Sequence, residues 1–262
     1  DSQIEPDPLL PFIQARVTQR RPYTTRALSG GQKEAFEQAV GKGYRVIWLE
    51  GGATRWKMAK LLFHNAHIRL TTPEAYEVHR RNIEWGVKFS EDRLPEYAVG
   101  VDYFTGKIMR WALKSWGRVK ILNRFFAGTW PPRLQMDLLP GYRCGAHFVI
   151  VSDNALESID DYIQGGRAMQ RFWLEATRQG LQFQPEMTPV IFSRYVAKGL
   201  AFTGEASEND LAARVGRELD TLLGPDQGSS RRVYMGRVGF GSKPTSRSLR
   251  LPMVSLRNCQ KI

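Results

Sequence analysis

Residues 166–185, GRAMQRFWLEATRQGLQFQP, pass from a helical pattern to a strand pattern at a single glycine. Apolar side chains at helical spacing predict one long helix over about Ser158–Gln179. Gly180 is placed to end this helix with a positive φ, and Leu181–Phe183 is predicted as a short return strand. The apolar side of the helix consists of Ile163, Met169, Phe172, Trp173 and Ala176.

The same alternation of helices and strands extends outward from this stretch. The run Ala146–Ser152 is almost continuously apolar, which favours a central strand buried on both faces. Further strands are predicted at Tyr44–Leu49 and Val233–Phe240, and further helices at Lys33–Val40, Arg55–Ala66, Thr72 to about Trp85, Glu186–Gly199 and Ser207–Leu223. These elements predict an α+β fold, a small mixed or antiparallel sheet covered by helices, with residues 1–262 in a single domain.

The overall composition is that of a globular protein. The 262 residues are 42% hydrophobic and 24% charged, and no apolar run approaches the roughly 20 residues that cross a bilayer. Two cysteines, Cys144 and Cys259, are too few for a disulfide framework, so we expect a reducing, cytoplasmic setting. The first residues resemble neither a signal peptide nor an initiator context, and we expect a longer parent polypeptide.

Positive charge is concentrated in two regions of a chain whose net charge is +12. Residues 228–262 carry eight Lys and Arg without an acidic residue, and residues 105–143 carry eight against Asp137 alone. Such clusters are typical of contact with an anion: a phosphate-bearing cofactor, a nucleic acid or a lipid surface. They are equally typical of solvated faces that raise solubility.

The basic segment Lys107–Phe126 is also rich in Trp and Phe, and it is predicted as one amphipathic helix. Three interpretations stay open at this point. The helix can pack on the core with its basic side chains in water, cover a ligand pocket as a lid, or rest on an anionic membrane surface.

The side chains of this sequence do not predict a reaction of their own. No nucleophile–base pair, carboxylate dyad or phosphate-binding loop motif is recognisable, so no catalytic residue is assigned. The four histidines, at positions 64, 67, 79 and 147, lack a third ligand at metal-binding spacing, and no metal site is predicted.

Anion binding is the chemistry that the sequence does indicate. In an extended segment, Arg16, Thr18 and Arg20 point to one side, and two guanidinium groups with a hydroxyl suit a phosphate dianion. The segment 246–252, SRSLRLP, offers the same groups near the other end of the chain.

Three segments together resemble the nitroreductase-like FMN-binding family. Residues 16–20 are similar to its opening Arg-x-Ser/Thr-x-Arg segment, and residues 166–185 to its second-half helix and strand ending in Gln-Pro. Residues 235–239 and 248–252 are similar to its last strand and the following Ser/Pro-x-Arg-Leu-Pro loop. The sequence departs from the family at residues 41–44, which lack its Asn/Gln segment. The basic aromatic segment 105–143 looks like an insertion and a candidate lid.

The resemblance implies a nitroreductase-like fold, dimeric with exchange of chain ends, and FMN at the subunit interface of a homodimer. It implies that Arg16, Thr18 and Arg20 bind the FMN phosphate together with Arg247, Ser248 or Arg250 of the terminal loop. Gln184 and Pro185 would lie near the isoalloxazine ring. The sequence also looks like nitroreductase-like domains fused to ubiquitin-activating-like adenylating domains.

The implied activity is two-electron hydride transfer from NAD(P)H through flavin N5 to an unknown small-molecule acceptor. Two alternatives accompany it. The first is a flavin-retaining or regulatory domain with little turnover. The second is a basic module that binds an anionic membrane or, less expected, nucleic acid.

Overall fold

The computed structural model describes residues 5–125 and 128–251. The helices are α1 (Gly30–Val40), α2 (Gly52–Thr71), α3 (Pro73–Asn82), α4 (Tyr103–Ala112), α5 (Trp116–Phe125), α6 (Trp130–Arg133), α7 (Leu139–Tyr142), α8 (Ile159–Arg178), α9 (Thr188–Ala197) and α10 (Ala206–Leu223). The strands are β1 (Tyr44–Leu49), β2 (Ile83–Glu84), β3 (Phe89–Ser90), β4 (Leu94–Pro95), β5 (Ala146–Ser152), β6 (Gln182–Pro185), β7 (Arg232–Gly239) and β8 (Arg247–Ser248).

A four-stranded antiparallel sheet in the order β1–β5–β7–β6 forms the centre of the fold. Every residue of β5 is buried, as the continuous apolar run predicts. Alternate β5 side chains enter two different cores, because successive residues of a strand point to opposite faces. Phe148 packs with Phe36 of α1 and Phe172 of α8, whereas Val149 packs with Leu61 of α2 and Leu219 of α10. The α+β prediction is confirmed.

The turn from α8 into β6 is built as residues 166–185 predict. Ser158 and Asp161 form a capping box at the start of α8. At its end Gly180 adopts φ +69°, and the Leu181 amide donates to the Ala176 oxygen at 2.9 Å. The chain then enters β6 at Gln182, next to β7.

The basic aromatic segment differs from the single helix predicted over Lys107–Phe126. It forms α4 and α5, which are separated at residues 113–115. Asp102 caps α4 by accepting from the amides of Phe104 and Thr105, so the first helix begins earlier than the apolar pattern indicates. We call residues 103–125 the lid segment. Phe126, Pro252 and Cys259 lie outside the described residues.

Two other predicted helix ends are also corrected. Helix α2 extends to Thr71 rather than Ala66, and α3 ends at Asn82 rather than near Trp85. The hydroxyl of Thr72 does not cap α3, because it donates back to the Ile68 oxygen at 3.0 Å. None of the helices within residues 5–125 and 128–251 combines the length and the apolar character that crossing a bilayer requires.

A short parallel ladder positions the terminal segment. Phe89 of β3 pairs with Arg247 of β8, and Ser90 pairs with Ser248. The Ser246 hydroxyl donates to the Lys88 oxygen at 2.5 Å, which strengthens the same attachment. Residues 246–250 are thereby held beside the N-terminal segment.

Candidate functional site

The two predicted arginine clusters meet in space. A small pocket of about 80 Å³ is lined by all six predicted residues of these segments, which are Arg16, Thr18, Arg20, Arg247, Ser248 and Arg250. We call it the arginine pocket. Its other lining residues are Val17, Leu94, Ala98, Trp173 and Ser246, so no acidic side chain stands among the described residues that line it.

Main-chain carbonyl groups hold the terminal arginines in this pocket. The Nη2 atom of Arg247 donates to the Gln14 oxygen at 2.8 Å, and that of Arg250 donates to the Arg16 oxygen at 2.8 Å. Since these acceptors are neutral, the guanidinium charges remain uncompensated. The arrangement therefore keeps several cations close together without a carboxylate between them.

Arg16 is a half-buried member of this cluster. Its guanidinium carbon stacks on the Trp173 ring, 4.0 Å from the centroid, and its buried Nε has no acceptor among the described residues. Burial, followed by repulsion from Arg250 and Arg247, lowers the pKa of Arg16 to about 10. An anion in this pocket would relieve both the repulsion and the missing hydrogen bond.

Arg20 connects the arginine pocket to a much larger cavity of about 890 Å³, since it lines both, as does Leu94. Its Nη1 donates to the Ala98 oxygen at 3.1 Å. Burial lowers the pKa of Arg20 to about 10, and the charges of Arg237 and Arg69 lower it further against the opposing effect of Tyr23.

Gln184 and Pro185 lie in the large cavity and not in the arginine pocket. The Gln184 amide Nε2 donates to the Pro185 oxygen at 3.0 Å. Its buried Oε1 has no partner among the described residues, which leaves an acceptor free for a ligand donor.

The lid segment forms one wall of the large cavity. The side chains that it contributes are mostly apolar, among them Met109, Leu113, Val119 and Leu122. Hydrogen bonds tie the segment to the body of the domain, among them one from Gln135 Nε2 to the Thr105 hydroxyl at 3.0 Å. Asn123 Nδ2 donates to the Leu70 oxygen at 3.0 Å, and the Tyr76 hydroxyl donates to the Leu113 oxygen at 3.3 Å. The segment therefore lines the cavity, and its role as a lid stays a prediction.

Three buried charged side chains contact one another in series between the central sheet and the cavity. The Arg237 Nη1 donates to Glu186 Oε1 at 2.9 Å, and Glu186 Oε2 lies 2.7 Å from His147 Nδ1. The other ring nitrogen of His147 lies 2.7 Å from the Gly141 oxygen, so both nitrogens have acceptors, as an imidazolium requires. Although burial opposes its charge, Glu186 raises the pKa of His147 well above its ordinary value.

A second charged pair, Arg69 with Asp137, also lines the cavity. The Nη2 atom of Arg69 donates to both carboxylate oxygens of Asp137, at 2.8 and 2.7 Å. Burial raises the pKa of Asp137 to about 6 and outweighs the attraction of Arg69. His79 lies close by, and burial together with the charge of Arg69 lowers its pKa to about 4.

Sequence reasoning missed four charged residues that line the cavity, and it missed His147, which lies behind Glu186. The four are Arg69, Asp137, Glu186 and Arg237. One signal was available, because His147 stands inside a continuous apolar strand, where a polar side chain needs a buried partner. That partner, Glu186, lies 39 positions away, and no local pattern indicates it.

Comparisons with known proteins address the fold alone. No protein-family model and no curated protein matches the chain. Among solved structures, the chain is similar to the FMN-dependent nitroreductase NfnB from Mycobacterium smegmatis in complex with NADPH, at 12% identity and a TM-score of 0.50, over 93% of this chain and 94% of that one. It is also similar to a nitroreductase with bound FMN from Bacteroides fragilis, at 9% identity and a TM-score of 0.47, over 90% of each chain.

A third similar structure is iodotyrosine deiodinase bound to FMN and 3-iodo-L-tyrosine, at 10% identity and a TM-score of 0.46, over 93% of this chain and 95% of that one. The likeness to the mycobacterial structure spans nearly the whole of both chains and agrees with the antiparallel sheet and its covering helices. The chain therefore has the nitroreductase-like fold.

Proposed function

We propose that this chain is an FMN-dependent oxidoreductase domain that passes two electrons from NAD(P)H to a small-molecule acceptor. The observation that carries the proposal is the arginine pocket, which adjoins a large, mostly apolar cavity through Arg20. A phosphate group and an attached ring system need this combination of a compact anion site and a wider apolar chamber.

The residues present fit FMN. Arg16 has a buried Nε without an acceptor, and Arg16, Arg247 and Arg250 repel one another with no carboxylate among the described lining residues. Guanidinium groups of this kind bind phosphate through charge-assisted, partly bidentate hydrogen bonds. The cavity of about 890 Å³ lies within the range of roughly 300–1,000 Å³ that cofactor and ligand sites occupy.

In this proposal the protein binds and orients, and bound flavin supplies the two-electron chemistry. Arg16, Thr18, Arg20, Arg247, Ser248 and Arg250 hold the phosphate. Gln184 offers its free Oε1 to a donor in the cavity, beside Pro185. The lid segment excludes water from the chamber, which strengthens every electrostatic contact inside it.

Reconstitution with FMN and with riboflavin tests the phosphate assignment. The two molecules share the ring system and differ in the phosphate, so we expect FMN to bind at least tenfold more tightly, measured by calorimetry and by the flavin absorbance spectrum. Failure of the protein to take up FMN would refute the proposal. Equal affinity for FMN and riboflavin would still support a flavin site, but it would show that the arginine pocket does not bind the phosphate.

Anaerobic mixing of FMN-loaded protein with NADPH or NADH separates turnover from mere retention. Rapid loss of the flavin absorbance supports the oxidoreductase. No loss supports the alternative of a flavin-retaining domain with little turnover, shielded by the lid segment.

Light scattering during chromatography tests the homodimer that the resemblance implies, and the same measurement with an adenylating domain tests that partner.

The outer face of the lid segment favours a second candidate function, attachment to an anionic membrane surface. Tyr103, Phe104 and Phe125 are exposed, and the segment holds six Lys and Arg without an acidic residue. Exposed aromatic rings beside basic side chains are complementary to the interface of an anionic bilayer.

Sedimentation with vesicles tests this candidate. We expect binding to phosphatidylcholine vesicles that contain phosphatidylglycerol, little binding to phosphatidylcholine alone, and loss of binding in Phe104→Ser/Phe125→Ser. Ile159→Ser, which removes an exposed apolar side chain elsewhere, is the matched control. Absence of vesicle binding rejects the candidate, and salt-sensitive binding to DNA instead would assign the segment to nucleic acid.

A further inference from the structure

We infer that the large cavity binds the anionic group of an otherwise apolar acceptor, with Arg69 as the charged partner of that group. This inference rests on the proposed function and names the class of its acceptor, an apolar carboxylate. It concerns a different anion site from the arginine pocket, because Arg69 lines the large cavity and does not line the arginine pocket.

The charged residues around the cavity do not balance one another. Besides Arg20, which the phosphate site shares, four cations face or support it, which are Arg69, Lys107, Arg237 and the imidazolium of His147 behind Glu186. Two carboxylates, Glu186 and Asp137, oppose them. The phosphate of FMN would lie in the arginine pocket, so it leaves this excess of about two positive charges for another anion.

Two arginines of the cavity also have buried donors without hydrogen-bond acceptors among the described residues. The Nε atoms of Arg69 and Arg237 are both buried without an acceptor among the described residues, and Arg237 is 2% exposed. Buried guanidinium donors are almost always satisfied in folded proteins. A ligand carboxylate is an acceptor with several lone pairs and would satisfy such a donor.

The remaining wall of the cavity is mostly apolar. Besides the charged residues, the cavity is lined by apolar side chains of the lid segment and of the helical residues 130–138, including Met109, Leu113, Leu122, Pro131 and Met136. A fully polar anion would leave these surfaces unmatched. An aromatic or aliphatic body with one charged end matches both halves of the chamber.

Asp137 regulates this site through its pair with Arg69. Both of its oxygens accept from the same Arg69 nitrogen, so the carboxylate competes with a bound anion for the guanidinium. The charged groups that face Asp137 are Arg69, Arg237, Arg133 and Glu186. Burial raises the pKa of Asp137 to about 6, so this competitor becomes neutral as the pH falls below 6. Anion affinity therefore increases toward lower pH.

The experiment compares two ring systems that differ in charge, 2-naphthoate and neutral 2-naphthamide, by calorimetry on FMN-loaded and on FMN-free protein. We expect naphthoate to bind at least tenfold more tightly to both forms at pH 7. Arg69→Met should abolish this preference, and Asp137→Asn should increase it. Arg55→Met, on the same helix but outside the cavity, should leave it unchanged.

The possible outcomes test the anion site and the proposed function separately. Equal affinity for the two probes, or a preference that survives in Arg69→Met, overturns the inference. If the preference for naphthoate disappears when FMN is bound, the cations belong to the flavin site, and the inference is again overturned. If the protein prefers naphthoate but takes up no FMN, the anion site is retained and the proposed function is rejected. If the protein takes up FMN but shows no preference for naphthoate, the proposed function is retained and the anion site is rejected. Arg69→Lys retains the charge and should retain part of the preference if Arg69→Met fails to fold.

Discussion

The Arg250 guanidinium donates through Nη2 to the main-chain oxygen of Arg16 at 2.8 Å, across 234 positions of sequence. This contact closes the arginine pocket between the two ends of the domain. Because Arg16 also stacks on Trp173 of α8, the pocket is anchored to the core as well as to the terminal segment. The two arginines therefore belong to one site.

Replacing Arg16 or Arg250 by Ala should weaken FMN binding. Each change removes a charge-assisted contact of about 1.5–3 kcal/mol, which corresponds to roughly a tenfold or greater loss of affinity, measured by calorimetry. Arg214→Ala, an exposed arginine on α10, should leave the affinity unchanged. Wild-type affinity in the Arg16→Ala/Arg250→Ala double variant would show that the phosphate binds elsewhere.

His147→Gln should destabilise the fold in a pH-dependent manner. Its raised pKa means that the imidazolium contributes its full stabilisation below about 6.5, the value in the unfolded chain, and loses it as the pH rises through the folded value. Burial opposes the charge of Glu186, but His147 and Arg237 lower the pKa of this carboxyl. Glu186 therefore stabilises the fold above about pH 4.5, the ordinary pKa of a Glu side chain.

We expect the variant to lose about 3–5 kcal/mol in urea unfolding at pH 6, since it breaks a buried pair, and less at pH 9. His64→Gln, a partly exposed histidine on α2, is the control and should cost little at either pH. A loss for His147→Gln that is the same at both pH values would mean that His147 is neutral in the folded protein.

Two adjacent glycines of α8 should respond to Ala in opposite directions. A Cβ on Gly165 would lie 2.9 Å from Val233 Cγ1, whereas one on Gly166 would meet nothing within 4 Å. We expect Gly165→Ala to reduce the free energy of unfolding by about 1–3 kcal/mol through overpacking. Gly166→Ala should increase it by about 0.5–1 kcal/mol, because Ala is the better helix former. Denaturant unfolding of both variants checks the sign, and a gain for both would place Gly165 away from β7.

Removing the Asn123 side chain should loosen the lid segment. Asn123→Ala loses the hydrogen bond to the Leu70 oxygen, so local opening becomes easier and tryptic cleavage after Lys114, Lys120 or Arg124 should accelerate severalfold. Asn209→Ala removes a comparable bond, to the Thr203 oxygen at 2.9 Å, but at the start of α10. It should not change the cleavage rate in the lid segment. Identical rates for both variants and the wild type would show that Asn123 does not hold the segment closed.

Local patterns predicted the framework of this fold because its elements carry their own signals. The apolar run of β5, the capping box of α8 and Gly180 are each recognisable without knowledge of the rest of the chain. The same reasoning placed Arg16 and Arg250 as anion ligands from spacing and charge. The family resemblance predicted that the two act together, and the structure shows that they line one pocket. Their binding of an anion stays a prediction.

The charged residues of the cavity could not be predicted in this way. Arg69 pairs with Asp137 from 68 positions away, and Glu186 with Arg237 from 51, so each residue alone looks like an ordinary surface charge. The break between α4 and α5 was missed because Leu113 and Trp116 continue the apolar spacing across it. Tertiary contacts, such as that of Tyr76 with Leu113, override the local pattern there.

The sequence separation of Arg16 and Arg250 also governs when the pocket can exist during synthesis. At roughly 5–20 residues per second, Arg250 leaves the ribosome on the order of ten seconds or more after Arg16. The last strand of the central sheet ends at Gly239, before the second group of arginines in the sequence. A shortened chain that ends at residue 246 would therefore keep all four strands of the central sheet but lack Arg247 and Arg250, so only Arg16, Thr18 and Arg20 would remain to contact a flavin phosphate.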